Sequence, residues 1–215
     1  MVLAICGVKL RQVSEVIRQS DLRGCLIVAN HLSYLDVLAF AVVVPGVFVT
    51  SVEVEGSGFL GWISRAGGAI FVERRNLGSL RRDLKKVRDV LAMGFPVIIF
   101  PEGTSSNGEG VLPFRPGLLA AADSFVPACI WYRSIDGAVV GPGNRDKVCY
   151  YGDMNFFPHL SEVLKLREIE VAIDFLEPVR VSPGASRKEL GLRELARTLR
   201  ERIASRYAQN NSLHQ

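Results

Sequence analysis

Hydrophobic positions recur along this chain with two periods, and the periods mark its elements. Cys25-Leu26-Ile27-Val28-Ala29 is an unbroken apolar run of strand length. Pro96 to Phe100 is a second, and such runs belong to strands covered on both faces. Leu77, Leu80, Leu84, Val87 and Leu91 step by three and four residues, which predicts a helix over Leu77 to Met93 with Gly94 at its stop. Leu35 to Val44 reads as a helix and Gly46 to Glu53 as a strand. Ser57 to Arg65 reads as a short helix that crowds Phe59, Leu60, Trp62 and Ile63 together. Further strands are expected at Val8 to Val13, Ala69 to Val72, Phe125 to Tyr132 and Lys147 to Tyr151. Glu168 to Leu176 alternates apolar with polar or small residues, which predicts a strand of unlike faces nearer an edge. Helices are expected at Phe157 to Leu166 and Ser186 to Tyr207, and a turn at Asp136 to Gly143. Strand–helix alternation predicts an α/β fold: a single domain over residues 1–215, with a central, largely parallel or mixed sheet flanked by helices on both faces.

The polar residues that interrupt this pattern gather after strands. Asn30-His31-Leu32-Ser33-Tyr34-Leu35-Asp36 lies where the Cys25 strand hands over to a helix. In open α/β sheets, ligands bind outside the carboxyl ends of the strands. On one regular helix, His31 and Asp36 would diverge by roughly 140°. They meet if His31 is in the loop and Asp36 is on the first helical turn. Ser33-x-x-Asp36 has the pattern of a capping box, which places Asp36 there. A carboxylate beside an imidazole fixes its tautomer and raises its basicity, the arrangement of a general base and its orienter. Each residue alone also fits a humbler role, Asp36 as a helix cap and His31 as a structural histidine. Glu73-Arg74-Arg75-Asn76 follows the Ala69 strand. Glu102-Gly103-Thr104-Ser105, with Arg115 further on, opens the long loop Pro101 to Gly117. A base, guanidinium groups and a loop offering backbone N–H groups suit a hydroxyl nucleophile on a molecule that carries phosphate.

Composition narrows the classes. The 215 residues are 48% hydrophobic, yet no apolar run reaches the 18 residues of a membrane span. The net charge of +4 suits an anionic substrate, an anionic membrane surface or nucleic acid. The aromatic-rich signatures of RNA binding are missing, so no nucleic-acid partner is expected. The basic run Arg187 to Arg206 reads mostly as the solvated face of a helix. Cys6, Cys25, Cys129 and Cys149 show no metal-ligand spacing, so no metal is expected, and they read as buried free thiols. His159 stands outside any motif and reads as structural or exposed.

NHLSYLD, GAIFVER, FPEGTS and VPACI, in this order, resemble the four motifs of the glycerolipid acyltransferase family, which includes glycerol-3-phosphate and lysophosphatidate acyltransferases. The first fits as NHxSxxD, the second as Gly68-x-x-Phe71-x-x-Arg74, the third as Phe100-Pro101-Glu102-Gly103-Thr104. The resemblance implies the fold of glycerol-phosphate acyltransferases. It implies that His31 is the general base for the acceptor hydroxyl and Asp36 its orienting partner. It implies that Arg74, Glu102, Gly103 and Thr104 bind the acceptor's glycerol phosphate, with Arg115 as a further cation. Ser105 departs from it, standing where many members have Arg. Members also often carry hydrophobic helices ahead of the first strand, and this chain begins close to that strand.

The activity so implied is O-acyl transfer from acyl-CoA or acyl-carrier protein, as co-substrate, to a lysophospholipid hydroxyl. No separate cofactor is implied. Lysophosphatidate is the family's usual acceptor, with lyso-ornithine lipid or another lysolipid open. CoA-independent transacylation and lipid binding without turnover are the rival readings. A lipid acceptor and a basic, apolar-rich chain imply peripheral attachment to the cytoplasmic face of a membrane.

Overall fold

The computed structural model describes residues 8–12, 19–55, 61, 68–73, 77–182 and 189–212. Among these residues, nine strands form one sheet: β1 (Val8–Gln12), β2 (Leu26–Ala29), β3 (Val47–Ser51), β4 (Ile70–Val72), β5 (Val97–Ile99), β6 (Ser124–Ile135), β7 (Ala138–Val139), β8 (Ile169–Phe175) and β9 (Val179–Arg180). The main order is β1-β8-β6-β2-β5-β3-β4, with β7 and β9 paired to β6. The strands β6, β2, β5, β3 and β4 run parallel, while β8 runs against β6 and carries β1 parallel to itself. The sheet is therefore mixed. β2 and β5 are buried throughout, which is why their sequences are continuously apolar.

The helices are α1 (Tyr34–Val43), α2 (Val52–Glu55), α3 (Leu77–Ala92), α4 (Phe156–Val163) and α5 (Glu189–Ser212). The β2–α1–β3 connection passes β5 in one direction, and β4–α3–β5 returns past β3 in the other. Right-handed crossovers then put α1 and α3 on opposite faces. α3 and α5 both touch the short 3-10 stretch Gly117–Ala121, so they share a face. α5 buries Leu195, Leu199, Ile203 and Tyr207 at four-residue steps, a stripe that lies on β6.

One sequence expectation fails here. Lys147 to Tyr151 is not a strand: Arg145–Lys147 is a 3-10 turn, followed by irregular chain. The run is apolar because Val148 and Cys149 are buried under the site loops, not because it pairs. β8 lies beside the edge strand β1, in keeping with its alternating pattern, and its polar face is covered. Asp174 is buried, and Arg206 of α5 reaches it at 3.1 Å. The alternation there reflects an ion pair to a covering helix. Phe59, Leu60, Trp62, Ile63 and the expected helix around them lie outside the described residues, Gly61 excepted.

Candidate active site

β2 ends at Ala29, paired with Ala128 of β6. Asn30 then replaces a strand residue with its side chain. Its amide donates to Ile130 O and accepts from Ile130 N, both at 2.9 Å. The main chain is thereby released from the sheet and turns into α1. Ser33, extended at φ −163°, caps α1, and Asp36 closes the reciprocal half of the capping box.

Asp36 is fully buried, and four donors converge on it. Oδ2 accepts from Leu32 N at 2.6 Å, Ser33 N at 2.9 Å and His31 Nδ1 at 2.8 Å. Oδ1 accepts from the Tyr132 hydroxyl at 2.6 Å. A carboxylate only accepts, so Nδ1 carries the imidazole proton and the lone pair sits on Nε2. The imidazole stacks on Phe100 with centroids 4.2 Å apart, and its side chain remains 20% exposed. A histidine so held is a base with one fixed nitrogen and one reachable nitrogen.

The loop after β5 holds the backbone of His31. Glu102 Oε1 accepts from His31 N at 2.7 Å and Oε2 from Leu112 N at 2.8 Å. Ser106 N donates to His31 O at 2.9 Å. Burial pushes the Glu102 carboxyl up to about 7, against the pull of those two N–H groups and of Arg200. Glu102 thus binds its proton more tightly in the folded chain than in the unfolded one. Its contribution to stability is fully present below about pH 4.5 and is lost as pH rises through about 7. The melting temperature of wild type should fall relative to that of Glu102→Gln as pH rises through that window, and hold a constant offset below it. A constant difference would remove Glu102 from the linkage.

Gly103 adopts φ +77°, and an added Cβ there would lie 2.8 Å from Arg115 Nε. The Arg115 side chain therefore lies across Gly103, brought back by Arg115 N donating to Pro101 O at 2.8 Å. The Gly103 N–H closes a turn onto Phe100 O at 3.1 Å, so it is not the free anion donor that the sequence suggested. Thr104 is exposed. Ser105 turns inward and its hydroxyl donates to Tyr150 O. Arg74 lies outside the described residues. Its neighbour Glu73, at the end of β4, donates its N–H to Asp83 of α3 at 2.9 Å.

The structure thus brings His31, Asp36 and Glu102 together, with the Gly103–Arg115 contact on the same loop. Sequence reasoning missed three further contributors. Tyr132 was hidden in an apolar strand; the available signal was that a buried tyrosine needs a partner for its hydroxyl. Arg200 was absorbed into the basic run of α5, yet it donates to Val111 O and Leu112 O at 2.7–3.1 Å. Tyr207, also on α5, donates to Gly108 O at 2.9 Å. His159 is structural: buried, it accepts from Tyr34 at 3.0 Å and donates to Cys149 O at 3.1 Å. Among the described residues, no group of three or more His, Cys, Asp and Glu side chains is placed to hold a metal ion.

The sequence profile of the acyltransferase family matches residues 10–135, the segment that contains β2, Asp36, the Glu102 loop and Tyr132. The chain belongs to the acyltransferase family. A lyso-ornithine lipid O-acyltransferase of Rhizobium meliloti (strain 1021) is 32% identical over 213 residues, covering 94% of this chain and 72% of that protein. A 1-acyl-sn-glycerol-3-phosphate acyltransferase of Neisseria gonorrhoeae is 27% identical over 158 residues, covering 71% of this chain and 59% of that protein. The crystal structure of the 1-acyl-sn-glycerophosphate acyltransferase PlsC from Thermotoga maritima has the same fold. It superposes with a TM-score of 0.58 at 22% identity, over 93% of this chain and 71% of that one. The mixed α/β sheet of this acyltransferase chain is therefore the fold of its family.

Proposed function

We propose that the chain moves a fatty acyl group from a thioester, acyl-CoA or acyl-carrier protein, to the free hydroxyl of a lysolipid. The observation that carries this reading is the His31–Asp36 pair, with Nδ1 locked to the carboxylate at 2.8 Å and the imidazole still partly exposed. His31 Nε2 takes the proton of the acceptor hydroxyl as its oxygen attacks the thioester carbonyl. Asp36 stabilises the imidazolium that results. A carbon–oxygen bond forms, the tetrahedral oxyanion collapses and the carbon–sulfur bond breaks. The imidazolium returns its proton to the departing thiolate. No side chain needs to be acylated.

Lyso-ornithine lipid is the acceptor best supported. Relatives named for it align over up to 94% of this chain, whereas two Neisseria relatives named for 1-acyl-sn-glycerol-3-phosphate align over 71% at 27% identity. The chemistry of the loop agrees. Ser105 spends its hydroxyl on Tyr150 O and supplies no cation where many family members have Arg. A site with one cation fewer suits an ornithine head group, which bears a carboxylate and an ammonium instead of a phosphate. A guanidinium fork such as Arg115, or Arg74, accepts a carboxylate as readily as a phosphate. No helix among the described residues is long and apolar enough to cross a membrane. A peripheral site fits an acceptor drawn from a lipid surface, and Phe157 is 69% exposed on α4, whose neighbouring Phe156 packs on Tyr34 beside the catalytic loop.

The test is an acceptor panel with labelled acyl-CoA and acyl-carrier protein. The expected result is thioester-dependent acylation, faster on lyso-ornithine lipid than on lysophosphatidate. A reversed order would return the assignment to lysophosphatidate. Product formed without any thioester would mark a transacylase, and lysolipid binding without product would mark a binding protein.

A further inference from the structure

β6 is longer than its neighbour β2. Ala29 is opposite Ala128, and β6 runs on to Ile135. The overhang carries Ile130, which the Asn30 amide grips, and two residues later, on the same face, Tyr132. Its ring is buried, and its hydroxyl sits 2.6 Å from Asp36 Oδ1. The other carboxylate oxygen has three donors. The plane of the carboxylate is therefore pinned at both ends, at one end by Tyr132.

We propose that Tyr132 is a positioning residue for the His31–Asp36 pair: its phenol fixes the carboxylate that orients the imidazole and moderates how basic that imidazole becomes. The inference rests on His31 acting as the base. A donor on Oδ1 withdraws electron density from Asp36. Without it, the carboxylate would hold the imidazolium more tightly, and the proton would leave His31 at higher pH. The carboxylate would also be free to turn about Oδ2, so the imidazole would be less well aimed. Burial and the charge of Asp36 push the phenol's own proton well above the ordinary tyrosine range, so it remains a donor.

The other titratable groups around the pair come from three places. Glu102 lies on the loop after β5, Cys149 on the stretch before α4, and Tyr207 on α5. Arg200, also on α5, acts through Glu102. Burial raises Glu102 to about 7 and lowers His159, which bonds Tyr34 on α1. The readout must therefore see His31 itself.

Imidazole NMR of the full chain supplies it. The chain has three histidines, so replacing His159 and His214 by Gln in turn assigns the His31 signal. In Tyr132→Phe, the His31 titration should move up by about half a unit to one unit. The acid limb of the kcat profile should follow it, and kcat should fall about tenfold with the lysolipid KM unchanged. A second variant guards against poor folding. 3-Fluorotyrosine at position 132 keeps the shape and strengthens the donor, so His31 should titrate lower than in wild type. Equal His31 titration in wild type and both variants, with at most a lower melting temperature, would overturn the proposal. The titration needs no substrate, so its outcome is the same whichever lysolipid proves to be the acceptor.

Discussion

His31→Ala loses about 10²–10⁴-fold in kcat, the range that a positioned general base supplies. Among the described residues, the two carboxylates beside the imidazole are poor substitutes as a base: Asp36 is fully buried behind the imidazole, and Glu102 spends both oxygens on backbone N–H groups. The fold, by contrast, depends little on the ring. The imidazole touches Asp36 and Phe100, while the His31 backbone is held separately by Glu102 and Ser106. After its removal, Asp36 still has Leu32 N, Ser33 N and Tyr132. Initial rates with labelled donor, beside circular dichroism and melting curves, separate the two effects. A His31→Ala protein with normal turnover would refute the mechanism.

Asp36→Asn is the companion result, with an expected loss of about a hundredfold or more. The geometry says why this change is clean. An amide oxygen placed at Oδ2 still accepts from Leu32 N, Ser33 N and His31 Nδ1. The amide nitrogen then falls at Oδ1, where the Tyr132 hydroxyl can turn from donating to accepting. Structure and tautomer survive, and only the negative charge behind the imidazolium is lost. Asp36→Ala is the harsher change. It strands buried donors at about 1–3 kcal/mol each, so its inactivity would say little about chemistry. The diagnostic outcome for Asn is a large fall in kcat with a nearly native melting temperature. Retained kcat would show that Asp36 serves only as a cap.

The sequence made the dyad legible because both of its halves are local. A capping box and a loop histidine lie within six residues, and Ser33-x-x-Asp36 states the geometry directly. The central strands were legible for a similar reason, since full burial leaves a continuous apolar run. What stayed hidden was long-range. Tyr132 reads as one more apolar strand residue until the overhang of β6 brings it over α1. Arg200 reads as surface charge until α5 lies down on the loop. Glu102 was expected at the substrate from the motif it belongs to. Its observed partners, His31 N and Leu112 N, are contacts that no local spacing announces. Lys147 to Tyr151 misled because burial under loops and burial within a sheet select the same residues.

The brace on the base also sets an order of assembly. His31 N is tied to Glu102, 71 residues later. The Glu102 loop is tied to Arg200, a further 89 residues on from Val111. Tyr207 closes on Gly108 from 99 residues away. Contacts between such distant parts of the chain form late, because a long loop must close before they contribute. During synthesis, the N-terminal segment that carries His31 and Asp36 leaves the ribosome well before the helix that steadies its loop. A nascent chain therefore holds its histidine and aspartate together before it has a rigid site. The loop that holds the His31 backbone gains its last ties only when the final helix docks.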